Sequence, residues 1–398
     1  MKICVLDDSY EQSATPFKEF DFLPDPLRYL KAHECERHFL HKATAVRQVL
    51  DLSKRGFDVF LNLCDGSWDE DRPGIEVVQV LERLQVPFTG ASSRFYEPTR
   101  QTMKRICHYA DIASPAHAFA SDPGGVEAAA ATLRFPMIVK HPCGYASIGI
   151  TKQSRVETPE ELHVQAAKTV DAFGDALIEE FIEGREFTAL VAENPDDELA
   201  PLVYQPVEFL FPKGESFKHF DLKWRNYQSM SCVPVDDPLL AASLKDISRK
   251  FFVGLGGTGY GRCDIRMDGD GELFMLEINP NCEIFYPPGD EGCADFILLN
   301  DPAGHQGFVD VWSDMKQDMD DFRFQPDQII DLGDRVALRG TLVGRGRASG
   351  VLTRQTAGFI YHFSPRGLVA LQELHWTWQN VLDALNDHDE ASLPVVDL

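Results

Sequence analysis

The 398-residue sequence has little positive charge: 38 Lys and Arg stand against 63 Asp and Glu, a formal net charge of −25. A field of that sign repels phosphate backbones and anionic lipid, so nucleic acid and membrane surfaces are excluded as the main partners. No apolar run approaches the ~20 residues that span a bilayer. The nine cysteines form no CxxC pair, which argues against both a zinc cluster and a disulfide framework. The N-terminus, Met1 to Asp8, turns acidic too early for a secretory signal peptide. There is no internal repeat, and Ala128–Ala131 is the only low-complexity run. These absences leave a chain that reads as cytoplasmic and globular, with two to three domains expected.

What is present alternates between strands and helices. Residues 2–7 and 57–64 are apolar runs of the kind that form buried parallel strands, with charge-rich, helical sequence expected between them. A helix is expected over Val77–Leu84, a strand over 86–90 and a helix over 99–111. A strand is expected over 135–140, and the Thr158-Pro159-Glu160-Glu161 capping box opens a helix to Phe173. Strands over 176–182 and 186–191, and a helix over 237–254, precede a hairpin of 262–267 with 272–277.

That hairpin concentrates the chemistry. With Asp270-Gly271 as a two-residue turn, Asp264 faces Glu277 and Arg262 faces Asn279, all on one side of the ribbon. Two close carboxylates need a compensating cation. Oxygen-only ligands favour magnesium, which normally arrives with phosphate. A solvated hairpin face is the plainer alternative, but the apolar Phe274, Met275 and Leu276 beside it argue against simple surface. Lys140 ends an apolar strand and precedes a loop with Gly144 and Gly149, where it is poised to meet phosphate. Acidic residues interrupt the strand at Glu179-Glu180-Phe181-Ile182 and continue to Glu186. They would suit an adenine amino group and ribose hydroxyls, although edge-strand solubility explains them equally well.

Taken in order, Val139-Lys140 to Ser147-x-Gly149, Ile178-Glu179 to Gly184-x-Glu186, Lys223, Gly261-Arg262-x-Asp264 and Glu277-x-Asn279 resemble the ATP-grasp superfamily. The resembling branch is the D-alanine–D-alanine ligases, over residues ~1–300. The resemblance implies an α/β and α+β architecture: an N-terminal domain over 1–98, a central domain over 99–183 and a catalytic ATP-grasp domain over 184–302. It implies ATP and magnesium (or manganese), held between two sheets. Lys140 and Ser147 would lie at the phosphates, Glu179 with Glu180 at the adenine, Ile182 at the ring through its backbone, and Glu186 at the ribose. Asp264, Glu277 and Asn279 would hold the metal. Arg262 would face the transferring phosphate or tetrahedral intermediate, and Lys223 the γ-phosphate. The family's lysine at the start of the helix before the central domain falls at Arg100, with Lys104 one turn later, so either could meet a phosphate. The activity implied is amide formation through an acyl phosphate, with Lys223–Pro234 as a lid. Small carboxylate and amine substrates, amino acids or peptides, are the partners expected.

The sequence departs from the family on the substrate side. Asp65-Gly66 stands for the family's histidine-glycine pair, Trp224 for its loop tyrosine, and Pro280–Gly289 for the segment that grips the second D-alanine. A substrate other than D-alanine is therefore expected. Carboxylase or simple phosphoryl-transfer chemistry, and a non-catalytic ATP-binding scaffold, are the competing readings. Cys143 and Cys282 flank the site and read as small apolar packing groups. Residues 303–386, with Gly333-Asp334-x-Val336-x-x-Arg339-Gly340 and later strands, resemble the polyketide cyclase and nuclear transport factor two-like superfamily. They read as an accessory module that supports a homodimer, with His362, Glu373 and His375 as surface or strand residues and 387–398 as a tail.

Overall fold

β1 (Lys2–Asp8) is buried along nearly its whole length and lies between β2 (Glu34–Leu40) and β3 (Val59–Asn62), both parallel to it. The computed structural model describes residues 1–11, 13–16, 18–67, 70–144, 146–194, 197, 199–307, 319–331, 335–346, 352–363, 369–375 and 395–397. α1 (Ala45–Leu52) buries Ala45, Val49 and Leu52, one stripe at helical spacing, and α2 (Ile75–Leu84) buries Val77, Val78, Val80 and Leu81. Both pack with Cys4, Leu6 and Phe60 in one core. The stretch between the first two expected strands is thus only partly helical. β2 was hidden because, as an edge strand of half-exposed Glu, Arg and His, it carries no apolar run. The strand expected over 86–90 shrinks to one bridge, Phe60 with Phe88, next to Pro87, which has no N–H to donate. The C-terminal ends of β1 and β3 bring Asp7, Asp8 and Asp65 to the rim, where ligands bind in open parallel sheets.

α3 (Arg100–Tyr109) is capped by the Thr99 side chain, which accepts from Thr102 N, and buries Arg100, Met103, Lys104 and Cys107. It leads to a four-stranded antiparallel sheet made by β4 (His117–Ala120), β5 (Met137–Lys140), β6 (Arg155–Val156) and β7 (Ala176–Glu180) in the order β4-β7-β5-β6. α4 (Pro123–Thr132) and α5 (Pro159–Phe173) cover one face of it, where Met137, Val139, Ala176 and Ile178 join their core. Strand alternation then sends Lys140 and Glu179 to the opposite face.

The second large sheet comprises β8 (Arg185–Ala192), β9 (Leu202–Val203), β10 (Val207–Leu210), β11 (Ser231–Pro234), β12 (Tyr260–Met267) and β13 (Leu273–Pro280). Its order is β11-β10-β8-β12-β13, with β9 on β8. α6 (Pro238–Gly254) packs with α3 on the face bearing Phe187, Cys263, Ile265 and Ile278, so Arg262, Asp264 and Arg266 point the other way. α7 (Cys293–Asn300) follows β13.

The hairpin corrects the expected turn. The connection runs from Asp268 to Glu272, with Asp268 N donating to Glu272 O, rather than through a two-residue Asp270-Gly271 turn. That odd-length loop pairs Met267 with Leu273 and Ile265 with Met275, and a bulge at Leu276 then shifts the register by one. The bulge brings Asp264 opposite Glu277 and Arg262 opposite Asn279.

The chain divides into two compact units, Met1–Val311 and Trp312–Leu398. In the second, β14 (Met319–Asp331), β15 (Arg335–Gly346), β16 (Leu352–Phe363), β17 (Val369–His375) and β18 (Val395–Asp397) form an antiparallel sheet in the order β17-β16-β15-β14-β18. The side chains of His362, Glu373 and His375 lie outside the described residues. No described helix is long and apolar enough to cross a membrane.

Candidate functional site

The free faces of the two large sheets of the first unit meet at one cavity of about 90 Å³, walled by Lys140 and Glu179 from the four-stranded sheet and by Asp264 and Glu277 from the hairpin. Glu179 is almost fully buried, with Lys104 Nζ 2.5 Å from one carboxylate oxygen and Lys140 Nζ 2.6 Å from the other. Burial alone would raise its pKa, but Lys104 and then Lys140 outweigh it and hold the group well below the usual carboxylate range. Arg100 lines the cavity, whereas Lys104 is not among its walls. Glu180, next along the strand, also lines the cavity, and its carboxylate accepts hydrogen bonds from Arg134 N at 2.9 Å and from the Arg134 guanidinium at 2.7 Å. Ile182 and Ser147 line the same cavity.

Glu186 accepts from Arg266 Nη1 at 2.9 Å and lies 3.2 Å from Lys218 Nζ. Lys218 is also 3.8 Å from Asp264, yet among the described residues its buried ammonium donates no hydrogen bond. Burial would lower the lysine's pKa, and Asp264 and Glu186 together raise it instead, so it stays charged. Two loops are latched over the cavity. Ser147 Oγ donates to the Lys218 carbonyl at 3.2 Å, and Trp224 Nε1 donates to the Ala146 carbonyl at 2.9 Å. Cys143 is exposed, which rules it out as a packing group, whereas Cys282 is buried.

On the hairpin face, Asp264 is 5% exposed. It accepts from Thr188 Oγ1 at 2.8 Å, from Arg262 at 3.3 Å and from Asn279 Nδ2 at 3.4 Å. Burial raises its pKa, and Arg262 and Lys218 bring it down to about 2. Glu277 pairs with Arg100, whose Nη2 also donates to the Gly144 carbonyl at 3.0 Å. Asp264, Glu277 and Asn279 form an oxygen-only donor set, and the cations beside them (Arg100, Arg262 and the unsatisfied Lys218) are what polyphosphate would draw away. The residues present fit a magnesium ion that arrives with a nucleotide.

Lys223 does not line this cavity. It lies in the wall of a neighbouring one of about 350 Å³, where its Nζ donates to Glu283 at 2.7 Å. Arg262 Nη1 donates to the same carboxylate at 2.9 Å. Burial would raise the Glu283 pKa, while Lys223 and Arg262 hold it well below the usual range. Arg100 and Glu277 line both cavities, whereas Asn279 lines only the second, whose far walls hold Asp21, Asp65 and Arg72. Sequence reading missed Glu283, Lys218, Arg266 and Arg72. Two-residue alternation from Asp264 would have placed Arg266 on the same face, whereas Lys218 and Arg72 carry no local signal.

The D-ala D-ala ligase C-terminus family model matches residues 109–283. A D-alanine–D-alanine ligase of Cupriavidus necator is 26% identical over 237 residues, covering 59% of this chain and 69% of the relative. Among solved structures, a D-alanine–D-alanine ligase from Bacillus anthracis complexed with ATP superposes with a TM-score of 0.56 at 18% identity, over 78% of this chain and 95% of that one. The VanG D-Ala:D-Ser ligase from Enterococcus faecalis gives 0.57 at 13% identity, over 79% and 98%.

Proposed function

We propose that this chain, ATP-grasp in fold and D-alanine–D-alanine ligase-like in sequence, is an ATP- and magnesium-dependent ligase that joins a carboxylate to an amine. The observation that carries the reading is the single cavity walled by Lys140 and Glu179 on one sheet and by Asp264 and Glu277 on the other. A substrate carboxylate is a poor acyl donor because oxide is a poor leaving group. Transfer of the γ-phosphoryl group of ATP to it releases ADP and gives an acyl phosphate. The amine then attacks the carbonyl carbon, phosphate leaves, and the amide remains.

On this reading Lys140 and Arg100 neutralise the phosphates, and Glu179 and the Ile182 backbone face the adenine. Glu186 faces the ribose, and Asp264, Glu277 and Asn279 hold the metal, which supplies charge neutralisation at the transferring group. Arg262, which donates both to Asp264 of the first cavity and to Glu283 of the second, faces the tetrahedral centre, and Lys223 reaches the transferred phosphate from the substrate side. Trp224 on the 223–234 segment closes over the 144–149 loop and keeps water from the acyl phosphate. Asp65 at the position of the family's histidine, and Glu283 within the 280–289 segment, support a substrate other than D-alanine. Free thiols suit a reducing, cytoplasmic setting.

The test is ATP-dependent phosphate release across a panel of amino acids that includes D-alanine, with mass spectrometry of the products. The expected result is release only when an acid and an amine are both present, with a mass equal to their sum less water. Bound ATP with no release for any pair would point to a scaffold, and incorporation of bicarbonate to a carboxylase.

A further inference from the structure

Behind the second cavity lies a third, of about 280 Å³, that shares Asp21, Asp65, Arg72 and Glu283 with it as common walls. Asp7, Asp8 and Lys18 add to its lining. Some of these charges are satisfied locally: Asp7 by Arg37, Glu283 by Lys223 and Arg262. Lys18 donates to the backbone carbonyls of Glu11 and Ser13. What is left is unbalanced. Among the described residues the buried Arg72 guanidinium is the one cation serving Asp8 at 2.8 Å, Asp65 at 2.5 Å and Glu70 at 2.8 Å. Asp21 accepts from the neutral hydroxyls of Tyr10 and Tyr286 and from Phe22 N at 3.1 Å, and among the described residues no cation pairs with it.

The second observation is Asp8 itself. It lines this cavity, is 4% exposed, and among the described residues its buried Oδ1 receives no hydrogen bond. A buried carboxylate oxygen without a donor costs roughly 1–3 kcal/mol, which a cationic donor entering the cavity would recover. Burial and the neighbouring Asp65 push the pKa values of both Asp8 and Asp21 upward, as expected where carboxylates outnumber cations. Among the described residues, no group of three or more His, Cys, Asp and Glu side chains is placed to hold a metal ion. Tyr10, Phe22 and Tyr286 supply apolar faces for a hydrocarbon stem.

We propose that one substrate of this ligase is dicationic, a basic amino acid or a diamine, and that its ammonium or guanidinium tail seats among Asp8, Asp21 and Asp65. Its reacting end then lies in the adjoining cavity with Lys223, beside the Glu283 carboxylate to which Arg262 also donates. The proposal rests on the ligase reading only for the fate of the reacting end, because tail binding needs no turnover.

The experiment has two readouts on the full chain. Calorimetry without ATP compares arginine and lysine, agmatine and putrescine, and alanine as the neutral control. Phosphate release with ATP and magnesium then runs over the same compounds, each alone and with a common amino acid. Binding of a dication at least tenfold tighter than alanine, reduced at least fivefold by Asp21→Asn and separately by Asp65→Asn, is the result expected. The amino acids and the amines distinguish which of the two sources fits. Alanine bound as tightly as every dication, or an unchanged preference in both folded variants, would overturn the proposal. Dication-selective binding without any phosphate release would uphold the pocket and sink the ligase reading. Release with neutral substrates alone would do the reverse.

Discussion

Lys140 Nζ stands 2.6 Å from Glu179 Oε2, on the sheet face that looks away from α4 and α5. Their neighbours Met137, Val139 and Ile178 fill the core on the other face, so the pair has nowhere to point but the cavity.

Lys140→Met should therefore weaken ATP binding about 10–100-fold, the loss of a charge-assisted contact. The fold should hold, because Lys104 still neutralises Glu179 at 2.5 Å. Calorimetry with ATP and a thermal melt separate the two effects. Full nucleotide affinity in the variant would remove Lys140 from the phosphate site.

Glu277→Gln should leave the protein folded, since Glu277 is partly exposed and Arg100 keeps its bond to the Gly144 carbonyl. With one of two carboxylates gone, the magnesium concentration for half-maximal phosphate release should rise about tenfold or more. A magnesium titration at fixed ATP measures it, and an unmoved midpoint would exclude Glu277 as a ligand.

Asp21 should mark the pH dependence of stability. Burial, followed by Asp65, raises its pKa from 3.8 to about 6, against the hydrogen bonds from Tyr10 and Tyr286, and Glu283 adds to the rise. Between those two pH values the native chain keeps a proton that the unfolded chain has lost. The contribution of Asp21 to stability therefore falls as pH rises through that window and is lowest above about 6. Asn has no such proton, so Asp21→Asn should gain in melting temperature relative to the parent between pH 5 and pH 7. A constant difference across that range would show that Asp21 titrates normally.

Gly259 and Gly256 both have positive φ, 62° and 65°, yet they should respond differently to alanine. A Cβ at Gly259 would sit 2.1 Å from the Gly90 carbonyl oxygen, whereas one at Gly256 meets nothing within 4 Å. Gly256→Ala should cost about 1–2 kcal/mol of left-handed strain. Gly259→Ala adds a backbone clash and should cost roughly 3 kcal/mol or more. Denaturant midpoints of the two variants compare them directly.

Part of the site was legible because strand geometry is local. A period of two puts Arg262 and Asp264 on one face whatever packs around them, and the Thr158 cap announces α5 from four consecutive residues. The hairpin register was reached through the wrong turn: a five-residue connection and a bulge at Leu276 offset each other. Neither carries a clear sequence signal, since bulges answer to neighbouring strands. β2 was illegible for a related reason, because an edge strand needs no hydrophobic run.

By itself the sequence determined the order of the charged motifs, the faces on which they fall and the excess of acid over base, all properties of short stretches and of composition. Only the tertiary structure decided that Lys223 meets Glu283 sixty residues away, that Lys218 lies between Glu186 and Asp264, and that Arg72 is left to serve three carboxylates. Which cation compensates which carboxylate depends on how sheets and loops distant in the chain come to pack, and a buried charge takes whatever partner that packing brings within reach.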